Sequence, residues 1–121
     1  MKILITNIQR QQWGQFETSC EPSDADIMKA LSKREYETRG FQEHEAALTA
    51  ELFQNGRSEK DICQSMTEYH ARRVAYFVEY GWNDAILLSP DGVTVMDGSH
   101  RLRAAIYKGE KEIDCEIHTK A

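Results

Sequence analysis

The stretch "VMDGSHRLRAA", residues 95–105, decides how this chain is read. Its apolar, β-branched opening stops at Asp97 and Gly98, and helix-forming residues resume at Ser99. That pattern predicts a strand over 93–96, a sharp reversal, and a helix over 99–108 with Gly109 as its stop. The first amides of a helix have no partner within it. Together with the positive end of the helix dipole, they make such a turn an anion site.

Each residue of the turn suits that chemistry. Gly98 allows the reversal and lets a ligand approach the backbone closely. Ser99 can cap the helix or donate to a phosphate oxygen, His100 can donate or accept near neutral pH, and Arg101 can grip oxygens in a fork. Leu102 and Ile106, four apart, face the core, which turns His100, Arg103 and Tyr107 to one flank and Arg101 and Lys108 to another. The segment 99–108 holds Arg101, Arg103 and Lys108 and no acid, within a chain of formal net charge −5. Asp97, nearest the turn, can orient or deprotonate an attacking oxygen, with His100 as a proton relay, or it can simply brace the backbone. Ser, Asp and Gly are also ordinary capping vocabulary, and arginine on a short helix is commonly solvated, so spacing alone leaves both readings open.

Working outward, "AILL" at 85–88, "SPDG" at 89–92 and "VTVM" at 93–96 form a strand, a turn and a strand, with Pro and Gly where a β-turn uses them. Ile113, Cys115 and Ile117 alternate with polar residues as a last strand, and "KILITNI" at 2–8 reads as a first one. Between them lie helices. Ser23 and Asp26 form a capping box, with Ile27, Ala30 and Leu31 behind it and Gly40 as the end. Phe41, Glu45, Leu48 and Leu52 keep helical spacing up to Asn55-Gly56, with a new cap at Ser58. Ser65 and Glu68 resemble another capping box, opening a helix whose apolar stripe, Met66, Tyr69, His70, Val74, Phe77 and Val78, runs to Gly81. The fold class expected is α+β: one domain over 1–121, mainly helical over 1–60, with a small mixed sheet and the phosphate-binding part over 61–121.

Composition narrows function. Against 20 Asp and Glu stand 15 Lys and Arg, a balance that argues against general nucleic-acid binding while leaving room for a local basic pocket. Cys20, Cys63 and Cys115 are odd in number and far apart, so neither a disulfide framework nor a zinc knuckle is expected, only reduced and buried thiols. The opening apolar run is too short for a secretory core or a membrane span. The expected address is the cytoplasm, without membrane attachment. Two other groups carry polar chemistry. His70 with Arg73 could reach the same pocket, although a histidine on an apolar face usually serves packing. Glu43, His44 and Glu45 diverge around a helix and read as a solvated face.

The run "AILLSPDGVTVMDGSHRLRAAIYKGEKEIDCEI", 85–117, resembles the ParB/sulfiredoxin superfamily, in which a strand, a turn and a second strand lead into D-G-x-H-R or G-E-R-R-x-R-A and a further strand. Residues 98–104, "GSHRLRA", match the second form at Gly98, Arg101, Arg103 and Ala104, and the G-C-H-R of sulfiredoxins at Gly98, His100 and Arg101. The helix "EYHARRVAYFVEYGW" before them suits the same layout, so the resemblance covers the chain from about Thr67.

The resemblance implies a nucleotide-binding fold whose turn holds phosphates, here through Gly98, Ser99, His100, Arg101 and Arg103. Its members include CTP-dependent DNA clamps, ATP-dependent repair enzymes for oxidised cysteine, kinases acting on free serine, and nucleases. Ser99 stands where sulfiredoxins carry their catalytic cysteine, and a serine hydroxyl is a far weaker nucleophile. The clamps continue with an E-N-x-x-R segment and DNA-binding helices, whereas this sequence ends at Ala121. Residues 1–60 match nothing in the family.

The expectation is therefore a protein that binds ATP or another nucleotide, or a phosphorylated small molecule, with Mg²⁺ a candidate companion. Phosphoryl transfer or nucleotide hydrolysis through Asp97 and His100 is the enzymatic version, with Glu68, Glu79 and Asp84 as unplaced second acids. The alternative is an accessory or inhibitory protein docking on a protein partner through 23–55. A nuclease is disfavoured by the acidic charge and the lack of an evident carboxylate cluster.

Overall fold

Alternation in the last strand shows how the sheet is built. In β4 (Glu112–Ile117), Ile113 and Cys115 are buried while Glu112, Asp114 and Glu116 face solvent, the period-two pattern of a strand with one face on a core. The computed structural model describes residues 1–10, 13, 19–38, 50–51 and 53–119. Within them the chain is an α+β fold that divides into two compact units, Met1–Gln11 with Phe77–Ala121, and Gln12–Tyr76.

The first unit holds the sheet. β1 (Lys2–Leu4), β2 (Ile86–Leu88) and β3 (Val95–Asp97) join β4 in the order β1-β4-β2-β3. β4 runs parallel to β2, with Ile86 opposite Cys115 and Leu88 opposite Ile117, and both outer pairs are antiparallel. A parallel pair needs a crossover, and β3 with the following helix, α3 (Ser99–Tyr107), supplies it. Ile86, Leu88, Val95, Ile113 and Cys115 meet Leu102 and Ala105 of α3 and the buried Ile8 in one core.

The hairpin holds through its turn. The Gly92 amide donates to the Ser89 carbonyl at 2.8 Å, and the Ser89 amide to Thr94 at 2.7 Å. The Asp91 carboxylate accepts the Thr94 hydroxyl at 2.6 Å and the amides of Val93 and Thr94 at 2.9 Å. These bonds, the hydroxyl's first, hold the Asp91 carboxyl below its ordinary range.

The second unit is helical. α1 (Asp24–Lys33) opens on the expected box, with the Ser23 hydroxyl accepting from the Asp26 amide at 3.1 Å and the Asp26 carboxylate accepting from the Ser23 amide at 2.9 Å. α2 (Glu59–Tyr80) starts after Ser58, whose hydroxyl accepts from the Asp61 amide at 3.2 Å. Ile62, Cys63, Met66 and Tyr69 of α2 pack with Cys20 as this unit's core.

Several boundaries differ from the sequence reading. The first strand is three residues long, because Ile5–Asn7 turns into a 3-10 helix, and the chain then bridges Gln9 to Thr94 beside β3. α1 ends at Lys33, well before Gly40: Arg34 takes the left-handed conformation, and the Glu35 amide returns to the Ala30 carbonyl at 3.0 Å. Gly40 and the expected helical face from Phe41 through Leu48, with Leu52, lie outside the described residues. Ser65 and Glu68 open nothing. They sit inside α2, a continuous helix of 22 residues that Ser58 had already capped, with neither Gly nor Pro to interrupt it.

Candidate anion site at the start of α3

β3 ends at Asp97 and α3 begins at Ser99, with Gly98 as the N-cap at φ 113°. The cap is thus glycine and not Ser99. The Gly98 carbonyl accepts from the Leu102 amide at 2.8 Å, which starts the helical ladder. A Cβ on Gly98 would lie 2.6 Å from Ile86 Cγ2 and 2.8 Å from Ile86 Cβ. Glycine is therefore demanded twice, by left-handed backbone and by close packing on a fully buried core residue.

α3 stands apart at its N-terminus from the other two described helices. α1 has a capping box plus Asp24 and Asp26 in its first turn, and α2 has Ser58 with Glu59 and Asp61. α3 has no side-chain cap and no acid in its first turn. Its dipole is not offset by helical side chains in the way the other two are.

The arginines divide in role. Arg101 Nη1 donates to the backbone carbonyls of Asp84 at 2.9 Å and Ala85 at 3.3 Å, while Nη2 pairs with the Asp97 carboxylate at 3.4 Å. Its side chain is only 13% exposed and Asp97 is 79% exposed, so Arg101 first of all fastens the entry of β2 to the start of α3. Asp97 is drawn to this guanidinium. Arg103, expected on a flank, is buried. Ser99 and His100 are half-buried on the first turn.

Sequence reasoning missed Arg10. Burial, and after it the charge of Arg103, lowers the Arg10 guanidinium from its ordinary value, which places two cations close together in this unit. No local signal announces the pair, since Arg10 is carried there by the bridge of Gln9 to Thr94. Lys108 turns to the Trp82 ring and Glu110.

His70 is an interior residue of the helical unit, edge-on to Trp13 at 4.8 Å and Tyr69 at 5.4 Å between ring centres. Burial pushes its imidazole from 6.5 down to about 4, so it is neutral at physiological pH. Arg73 donates to the Glu37 carbonyl at 3.3 Å and lies over Tyr76. Of the second acids, Glu68 accepts from Gln64, Glu79 is exposed, and Asp84 offers Arg101 its carbonyl. Residues 43–45 lie outside the described residues. A groove of about 170 Å³ between α1 and α2 carries Lys29, Lys33 and Arg72, but Asp26, Glu35 and Glu68 offset them, so it offers phosphate no net positive charge.

Among the described residues, no group of three or more His, Cys, Asp or Glu converges as a metal site, and no helix is long and apolar enough to cross a membrane. Set against protein-family models, curated proteins and solved structures, the chain finds no match.

Proposed function

We propose that the chain binds the phosphate of a nucleotide, ATP or another, or of a phosphorylated small molecule at the first turn of α3. The observation that carries this reading is the helix start without a capping side chain or acid, directly after a strand end. Gly98, Ser99 and His100 supply the cradle, Arg101 its fixed edge, and Arg103 with Arg10 a positive background in an otherwise acidic chain. The order β2, β3, α3, β4 over 86–117 agrees with the resemblance to the ParB/sulfiredoxin superfamily, which supports the same ligand class.

A phosphate arriving here competes with Asp97 for Arg101 Nη2. A displaced Asp97 carboxylate is then the nearest base for phosphoryl transfer or hydrolysis, with His100 as the relay. Mg²⁺, where the chemistry uses it, comes with the nucleotide's phosphates. The cytoplasm suits three buried free thiols.

A thermal-shift panel of ATP, ADP, CTP, GTP and inorganic phosphate, each with and without Mg²⁺, tests the proposal. A ligand at about a hundredfold its Kd stabilises the fold by about 2.7 kcal/mol, a rise of several degrees, and His100→Ala should reduce it. No stabilisation by any of these compounds contradicts the proposal. The reading as a protein-docking module draws on Met28 and Phe53, exposed within 23–55. Under it, Met28→Asp with Phe53→Asp abolishes partner binding and leaves any nucleotide shift unchanged.

A further inference from the structure

Asn55-Gly56 ends a helix, and it is also a pair in which the backbone can react with a neighbouring side chain. Glycine after asparagine leaves the amide nitrogen between them unshielded, because no Cβ stands beside it. Residues 53–54 are helical, the Asn55 amide donates to the Glu51 carbonyl at 3.0 Å, and the Gly56 amide donates to the Phe53 carbonyl at 3.1 Å. Gly56 takes φ 72°, and nothing lies within 4 Å of where its Cβ would be. Asn55, Gly56 and Phe53 are all exposed. The bond that withholds the Gly56 nitrogen therefore lies at an exposed helix end, where hydrogen bonds open most readily.

Two further pairs of related chemistry, Asp91-Gly92 and Asp97-Gly98, occur in the chain, and the fold guards both. The Asp91 carboxylate is held by the Thr94 hydroxyl and the amides of Val93 and Thr94, and the Gly92 amide donates to Ser89 at 2.8 Å. Asp97 is drawn to Arg101, and Gly98 packs so closely on Ile86 that no Cβ fits there. Both are carboxylates, which are poorer electrophiles than the Asn55 amide.

We propose that Asn55 is a site of spontaneous covalent modification, deamidated through its own backbone while the protein is folded. The Gly56 nitrogen gives its proton to hydroxide and attacks Asn55 Cγ; the Cγ–Nδ2 bond breaks, and Nδ2 takes a proton from water and leaves as ammonia. This forms a five-membered succinimide. Water then adds to one of its two carbonyl carbons, and the ring C–N bond at that carbon breaks. Opening at Cγ gives aspartate, and opening at the backbone carbonyl carbon gives isoaspartate, with the main chain now routed through the side chain. One water is consumed, one ammonia is released, and nothing is oxidised or reduced.

Either product makes a chain of formal net charge −5 one unit more negative, with the new charge at the C-terminal end of a helix, where the dipole disfavours it. Isoaspartate also lengthens the main chain by a methylene, which disturbs the Gly56 bond to Phe53. The turn ahead of Ser58, the cap of α2, thereby records the age of the molecule.

The full-length chain, held folded at neutral pH and body temperature for several weeks, tests the site by isoelectric focusing and peptide mass spectrometry. A more acidic band should accumulate, carrying aspartate and a larger share of isoaspartate at 55, and it should form faster at mildly alkaline pH, where the attacking nitrogen loses its proton more often. Asn55→Gln should lose that band, since its ring would be six-membered, and Asn55→Asp should migrate with it from the start. No conversion at 55 in the folded wild type, conversion that begins at Asn7 or Asn83, or isoaspartate arising as fast at Asp91 or Asp97 as at Asn55 would each overturn the inference.

Discussion

Gly98 makes the turn and Arg101 fastens it, and both do so through contacts inside the protein. A methyl group at 98 would collide with Ile86 at less than 3 Å while forcing an L-residue into φ 113°. Gly98→Ala should therefore lose about 3 kcal/mol of stability, measurable by urea unfolding; a change under about 0.5 kcal/mol would refute this packing. Arg101 holds two backbone carbonyls, so Arg101→Ala removes a brace together with any ligand contact and is a poor probe of binding. His70 makes a separate prediction. Its folded value near 4 lies below the ordinary 6.5, so between those values the unfolded chain binds more protons and stability rises with pH. The full contribution is present above about pH 6.5 and declines as pH falls toward 4, by up to about 3 kcal/mol. His70→Phe should remove that slope from the pH dependence of unfolding, and an unchanged slope would assign it to other groups. At this scale, the sequence showed which residue types crowd the turn, but not that the Arg101 donors were already committed to Asp84 and Ala85.

Helix starts test which element boundaries the side chains control. Ser58 caps α2 through the Asp61 amide, so Ser58→Ala should cost about 1 kcal/mol. Ser65 lies inside the same helix, where Ala is the better helix former, so Ser65→Ala should be neutral or stabilise by a few tenths of a kcal/mol. Denaturant midpoints of the two variants distinguish them; equal losses would mean that α2 does restart at 65. The Ser-x-x-acid pattern was read as a box at Ser23 and at Ser65, yet it marks a helix start only where no helix is already running. Hairpin, α3 and β4 were readable because turn residues and periodicity agreed. The end of α1 was not, since Arg34 adopts a left-handed conformation that nothing in its side chain announces.

For the molecule as a whole, the charge balance and the placement of cations pull in different directions. A chain of formal net charge −5 gains little from long-range attraction to phosphate, so affinity must come from groups within a Debye length, about 8 Å at physiological salt. α3 starts without a capping side chain or an acid in its first turn, and Arg10 and Arg103, more than 90 residues apart in sequence, lie close enough for the charge of one to act on the other. Long-range pairings such as Gln9 with Thr94 and β1 with β4 are set by topology, which explains why the nearness of Arg10 to Arg103 was not legible in the sequence.

Amide-resolved NMR during titration with ATP at constant ionic strength, in the wild type and in Ser99→Glu, tests whether the first turn of α3 receives a phosphate. The substituted carboxylate would offset the helix end itself, stabilising the free protein by about 0.5 kcal/mol while competing with the ligand. With phosphate held at the turn, the amides of 99–101 shift together and saturate in the wild type, and Ser99→Glu weakens the affinity by about tenfold or more. Amides at 99–101 that do not respond, or an identical titration in the variant, would contradict phosphate binding at this turn.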